Sequence, residues 1–337
     1  MGPHPAVAAV RLSVRQALAR VPADRLPYAA CSGGADSVAL ASALAFEARA
    51  ARRPAGLVTV DHGLQPGSDR QAAAVAELGY QLGLDPVLQL SVQVGDAGGP
   101  EAAARTARYA ALRPLTEHGV VLLGHTADDQ AESVLLGLGR GSGIRSIAGM
   151  RPAERGYLRP FLGLRRADTE AACAALGLAV WQDPHNLDPR FRRVRLRTEV
   201  LPLLEEVLAG GVTEALARTA QQLQDDLDAL RLLADRIYTQ AHRSDGLQVS
   251  ALQGQPRALT SRVLKRWAEE GGAGPLTAEH VRQLARLVTD WHGQDGIDLP
   301  GGYRACRASG RLVLELAKTA DAARRDIRPL TRDKVRE

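Results

Sequence analysis

The chain has 337 residues, 45% hydrophobic and 24% charged, a balance that suits a soluble protein of two domains with packed cores. Its 43 Lys+Arg against 38 Asp+Glu leave a net charge of +5, which permits a polyanionic partner without demanding one. Three scattered cysteines (Cys31, Cys173, Cys306) exclude a disulfide scaffold and a CxxC pair, and the absence of lysine before Lys265 excludes a GxxxxGK[ST] phosphate loop.

In chain order, residues 11–20 read as a short amphipathic helix. Leu26 to Cys31 form an apolar run that ends at SGGADS, residues 32–37. Residues 38–51, rich in Ala and Leu, read as a buried helix. The β-branched run 56–60 is a strand that ends at Asp61-His62-Gly63. Helical patterns follow over 68–82 and 101–115, with a strand expected at 86–94. Residues 120–124 are a strand and 128–137 a helix. The alternation predicts an α/β fold, a Rossmann-like parallel sheet with helices on both faces. Ligands bind such sheets at the carboxyl ends of the strands. SGGADS, DHG and GHTADDQAE all fall there.

Beyond residue 150 the character changes. The loop 139–143 and the stretch 149–160 look irregular, and 166–177 is helical. A long amphipathic helix is expected over 211–243, two more over 256–270 and 277–290, and a hairpin or short strands over 296–316. Ala-Gly-Gly at 209–211 marks a boundary. This predicts a catalytic domain over 1–210, a smaller, mainly helical domain over 211–320, and a charged tail over 321–337. No apolar run is long enough to span a membrane and no signal-peptide pattern opens the chain, so the expected location is cytoplasmic.

SGGADS carries the chemistry. Its glycines let the backbone turn tightly and approach an anion, and the amides of the helix start then point at phosphate oxygens. Ser32, Gly33, Gly34, Ala35 and Ser37 are the expected phosphate-binding residues. Asp36 would be repelled by bare phosphate and makes sense as the residue that holds Mg²⁺. The plain alternative is a serine-capped strand-to-helix turn.

This loop after an apolar strand resembles the pyrophosphate loop of the N-type ATP pyrophosphatases, which cleave ATP between its α and β phosphates. GHTADDQAES (124–133), RPFLGLRRADTEAACAALGL (159–178), DPHNLDPRFRRVRLRTEVLPLL (183–204) and EAAARTARYAALRPL (101–115) further resemble one branch of that group, the tRNA(Ile)-lysidine synthetases. The last segment matches through Glu101, Arg105, Arg108 and Tyr109. His185, Val194 and Thr198 stand where the family usually has serine, asparagine and histidine. The resemblance implies ATP and Mg²⁺ as cofactors, with a CAU-anticodon tRNA(Ile) and free L-lysine as partners. It also implies a two-step reaction. The C2 oxygen of the wobble cytidine attacks the α-phosphate, and lysine's ε-amine then displaces AMP. A monomer or homodimer is expected. Another adenylating tRNA modifier, such as a thiolase, and a nucleotide-sensing RNA-binding protein remain as rivals.

The other candidates follow the strand ends. Asp61 and His62 border the adenine or ribose, or form a polar turn. His125 contacts the nucleotide, or is a solvent-facing strand end. Asp129 and Glu132 share a helical face, with Asp128 as a candidate cap. Position alone favours a solvated acidic face, whereas the resemblance implies the lysine pocket. Arg190, Arg192, Arg193, Arg195 and Arg197 form the densest basic segment and suit RNA phosphates. If the segment is extended, Arg193, Arg195 and Arg197 share one side; on a helix they spread. Arg195 and Arg197 are the candidates for charge stabilisation at the α-phosphate. Arg105, Arg108 and Arg140 are candidates for substrate or tRNA.

Overall fold

The computed structural model describes residues 2–63, 67–95, 99–141, 143–183 and 188–317. Of the residues singled out above, His185 and the tail 321–337 lie outside the described residues, as does the side chain of Glu101. The chain forms two compact units that divide between Asp225 and Asp226.

The first unit opens with helix α1 (Pro5–Leu18), strand β1 (Leu26–Ala30), α2 (Ala35–Ala50), β2 (Gly56–Asp61), α3 (Ser68–Leu82) and β3 (Val87–Ser91). It continues with α4 (Pro100–Leu112), the short α5 (Leu115–His118), β4 (Gly119–Leu123), α6 (Ala127–Arg140) and the short α7 (Ile144–Ile147). The two-residue strands β5 (Ala153–Glu154) and β6 (Tyr157–Leu158) precede α8 (Arg166–Ala175). After α9 (Arg192–Arg195), a π-helical turn (Leu196–Val200) runs into α10 (Leu201–Val207) and α11 (Val212–Ala241).

The sheet order is β3-β2-β1-β4-β6-β5, parallel throughout except for the antiparallel edge strand β5. The expected irregular stretch 149–160 thus supplies two strands, each too short to show a period in sequence. Successive strand residues point to opposite faces. Ala29, Leu57 and Leu122 join a core with α1, α2 and α8. Tyr28, Val58, Val121 and Leu123 pack on the other face with Leu112 and Tyr109 of α4. Helix α2 buries residues around most of its circumference, as an Ala- and Leu-rich helix held between neighbours should.

The winding direction reverses between β1 and β4, which creates the crevice where such sheets bind ligands. Ala30 is level with both Val58 and Leu123, so the three chain segments leaving β1, β2 and β4 emerge together. Gly124 is required at the exit of β4. A Cβ there would lie 2.8 Å from the Asp36 carbonyl oxygen.

The second unit completes α11 and adds β7 (His242–Arg243), β8 (Gly246–Gln248), α12 (Arg257–Glu270), α13 (Ala278–Thr289), β9 (Ile297–Leu299), β10 (Tyr303–Ala308) and β11 (Arg311–Leu316). Its helices enclose a core around Leu264, Leu284 and Trp267. The strands form a five-stranded antiparallel sheet, β7-β8-β11-β10-β9, which is wider than the hairpin read from residues 296–316. The additional strands β7 and β8 are only two and three residues long. Among the described residues no helix is long and apolar enough to cross a membrane.

Candidate active site

The phosphate loop is held by its own atoms. Gly33 has φ +91°, a conformation that demands glycine, and a Cβ there would also press on the end of the Gln71 side chain. Ser37 Oγ donates to the Gly34 carbonyl (2.9 Å) and accepts from the Ser32 amide (3.1 Å). Its expected role as a free phosphate donor is therefore taken up by loop closure, while Ser32 stays exposed. The Trp181 amide donates to the Gly33 carbonyl at 2.8 Å, pinning the chain after α8 onto the loop. Ala35 and Asp36 open α2, and the first-turn amides of a helix have no intrahelical acceptors.

Asp36 is 23% exposed and lies 3.3 Å from Arg166 Nε, and Thr169 Oγ1 also donates to it. Burial pushes its carboxyl up to about 6, with Arg166 and Thr169 opposing the shift. Arg166 Nη2 in turn donates to Asp129 Oδ1 at 2.9 Å. Arg166 and Thr169 were not among the sequence candidates. One signal was available: a basic residue in the first turn of a helix runs against the helix dipole and calls for compensating carboxylates.

Asp129 and Glu132 lie on one face of α6, as their spacing requires, yet their surroundings differ. Asp129 Oδ2 accepts from the Thr126 amide (2.9 Å) and hydroxyl (3.1 Å), and Oδ1 lies 3.5 Å from Arg197. Burial raises its pKa, but Arg166, the Thr126 amide and Arg197 outweigh burial and hold the carboxyl below the ordinary range. Glu132 has no exposed side-chain surface and pairs with Arg197 (2.7 Å) and Arg193 (3.5 Å). Burial pushes its carboxyl up, with Arg197 opposing. The solvated acidic face is thereby excluded. Asp128 is not the helix cap. Thr126 holds that position, and Asp128 accepts instead from the Arg166 amide (2.8 Å) and pairs with Arg165 (3.2 Å).

The arginine segment is helical, so its side chains spread. Arg193 and Arg197, one turn apart, both face Glu132. Arg195 points elsewhere. It is 61% exposed and pairs with Glu199, so the structure does not bring it to the carboxylates. Arg192 is exposed, and Arg190 is 83% exposed and pairs with Asp188. Val194 is buried, and Thr198 donates to its carbonyl oxygen at 2.9 Å. Arg140 is exposed at the end of α6.

The remaining strand ends divide. Asp61 accepts from the Gly63 amide at 2.9 Å, the polar turn. His62 Nδ1 and His125 Nδ1 are buried without hydrogen-bond partners among the described residues. Burial lowers both histidines, His125 to about 3, so its imidazole is neutral. Helix α4 brings Arg105 and Arg108 beside Tyr109, with guanidinium carbons 4.9 and 5.6 Å from the ring centre. Arg108 Nε is likewise buried and unpartnered among the described residues. A buried polar atom without a partner calls for a water, an ion or a ligand to complete it.

The parallel sheet, its reversal point and the glycine loop define a nucleotide-binding protein of the PP-loop class. Residues 9–204 match the PP-loop domain family, and residues 247–313 match the TilS substrate binding domain. The chain is 53% identical to the tRNA(Ile)-lysidine synthase of Thermobifida fusca, over 93% of this chain and 98% of that relative. It is 51% identical to the enzyme of that name from Streptomyces coelicolor, over 93% and 99%, and 50% identical to that of Mycobacterium tuberculosis, over 92% and 97%. The chain belongs to the tRNA(Ile)-lysidine synthase family. Among solved structures, the U34-tRNA thiolase NcsA from Methanococcus maripaludis, with its [4Fe-4S] cluster, aligns with a TM-score of 0.53 at 16% identity, covering 65% of this chain and 80% of that one, a likeness of fold alone.

Proposed function

We propose that this protein joins free lysine to C2 of the wobble cytidine of a CAU-anticodon tRNA(Ile), forming AMP and pyrophosphate from ATP through an adenylated tRNA. The observation that carries the reading is the convergence of the phosphate loop after β1 with the Asp129–Glu132 face after β4, joined through Arg166. Gly33, Gly34 and the start of α2 receive the phosphates, and His62, His125 and Arg108 offer unpartnered polar atoms to the rest of the substrate. Family membership supports the same assignment.

Among the described residues no three His, Cys, Asp or Glu side chains group as a metal cage. Asp36 alone, at the phosphate loop, fits a Mg²⁺ that takes its other ligands from phosphate and water. Bound there, the ion would supply charge neutralisation at the phosphates.

Asp129 is the carboxylate for an ammonium group of lysine. It retains 13% exposure, whereas Glu132 is enclosed and orients Arg193 and Arg197. Because Asp129 is held ionised, it binds that ammonium and is a poor acceptor for its proton. Arg197, held by Glu132 and still 27% exposed, is the guanidinium assigned to charge stabilisation at the reacting phosphate. Arg105, Arg140, Arg190, Arg192 and Arg195 contribute to the tRNA phosphates. The domain over 1–210 performs the chemistry and that over 211–320 assists tRNA binding, in the cytoplasm. Mass spectrometry of tRNA(Ile) incubated with protein, ATP, Mg²⁺ and lysine tests the reading. A lysine-dependent mass gain at the wobble cytidine is expected, and sulfur incorporation or an unchanged nucleoside refutes it.

A further inference from the structure

We propose that Arg166 is a positioning residue that makes lysine binding depend on nucleotide, because one guanidinium bridges the carboxylate of the phosphate loop and the carboxylate of the amino-acid site. This rests on the functional reading above and adds an order to it. Arg166 Nη2 grips Asp129 Oδ1 in an aligned hydrogen bond of 2.9 Å. Its Nε lies 3.3 Å from Asp36 but finds no aligned hydrogen-bond acceptor there, so one end is firm and the other loose. All three groups keep some exposure, 22% for Arg166, 23% for Asp36 and 13% for Asp129, so none is sealed from a ligand.

Asp129 Oδ2 is already taken by the Thr126 amide and hydroxyl. A lysine ammonium therefore needs Oδ1, the oxygen that Arg166 occupies. Oδ1 also lies 3.5 Å from Arg197, which Glu132 holds at 2.7 Å, so with both arginines seated the oxygen's two acceptor sites are filled and the ammonium competes with Arg166. Phosphates arriving at the loop beside Asp36 offer Arg166 a stronger partner, since a guanidinium binds phosphate as a fork. Arg166 then turns from Asp129 to the nucleotide and frees Oδ1 for lysine. Lysine, by displacing Arg166, returns the same free energy to nucleotide binding, because coupling is reciprocal.

The test is calorimetric titration of lysine into the full chain without tRNA, with and without saturating Mg²⁺ and an ATP analogue that cannot be cleaved between its α and β phosphates. For the wild type we expect nucleotide to tighten lysine binding on the order of tenfold, and lysine to tighten nucleotide binding by the same factor. In Arg166→Gln, lysine should bind equally with and without nucleotide. Arg166→Lys keeps the charge but not the two-ended reach, and it should lose the coupling too, which separates bridging from net charge and decides the matter if the glutamine variant is unstable. Uncoupled binding in the wild type, or coupling that persists in either variant, overturns the proposal alone. Nucleotide binding with no lysine binding under any condition overturns the amino-acid site together with it.

Discussion

Replacing Asp129 by asparagine keeps the shape of the side chain and removes its charge. Four contacts are touched: the Thr126 amide at 2.9 Å, its hydroxyl at 3.1 Å, Arg166 at 2.9 Å and Arg197 at 3.5 Å. Severing a buried ion pair costs about 3–5 kcal/mol when the remaining charge has no other partner. Here Arg166 keeps Asp36, and Arg197 keeps Glu132. Both arginines also keep solvent contact, 22% and 27%. The stability cost should therefore fall to about 2 kcal/mol, and the domain should remain folded. The effect on lysine is larger in proportion. A hydrogen bond between charged groups contributes about 1.5–3 kcal/mol, which is roughly 10- to 150-fold in affinity. The assay measures tRNA-dependent pyrophosphate release and lysine incorporation separately on Asp129→Asn. Half-saturation for lysine should rise by that factor, while release of pyrophosphate in the first step changes little. An unchanged lysine requirement, or equal loss of both steps, refutes the assignment of Asp129 to the ammonium.

Asp36 carries a pH signature. Its pKa is raised from 3.8 to about 6, so the folded state binds its proton more tightly than the unfolded chain. That contribution is complete below the unfolded value and is lost as pH rises through the folded one, roughly 3 kcal/mol in all. Thermal melting of the ligand-free protein should show Asp36→Asn gaining on the wild type between pH 4 and 7, while its affinity for ATP with Mg²⁺ falls. His125, lowered to about 3 by burial, should show no imidazole titration between pH 5 and 8 by NMR. A titrating resonance there would mean that its ring is solvated. Arg195→Ala should weaken tRNA binding modestly and lower the salt slope by about 1, as for one exposed phosphate contact. Arg197→Ala should instead strip Glu132 of its 2.7 Å partner and lower melting temperature as well as turnover.

Much of this was legible in the chain itself because the signals are local. Strands β1, β2 and β4 carry apolar or β-branched runs, and each leads into a loop with polar residues, so the alternation and the strand-end position of the loops follow from short-range pattern. SGGADS demands its first glycine, Gly33, through backbone geometry that one Gln71 contact merely reinforces. The shared face of Asp129 and Glu132 follows from helical spacing alone. Strands β5, β6, β7 and β8 escaped because two or three residues cannot show a period, and their pairing comes from distant partners.

Tertiary structure decided what each charge does. Sequence places four arginines in FRRVRLR without ranking them; the helical path turns Arg193 and Arg197 to Glu132 and leaves Arg195 to Glu199. It makes Glu132 an enclosed partner and Asp129 an accessible one, though both are carboxylates one turn apart. It also brings Arg166 and Thr169, more than 120 residues beyond the phosphate loop, onto Asp36, with a separation of 133 for the threonine. Backbone periodicity is set by bonds between near neighbours and so is written in the sequence. Ion pairing and burial depend on which helices the sheet brings together, and no local pattern encodes that.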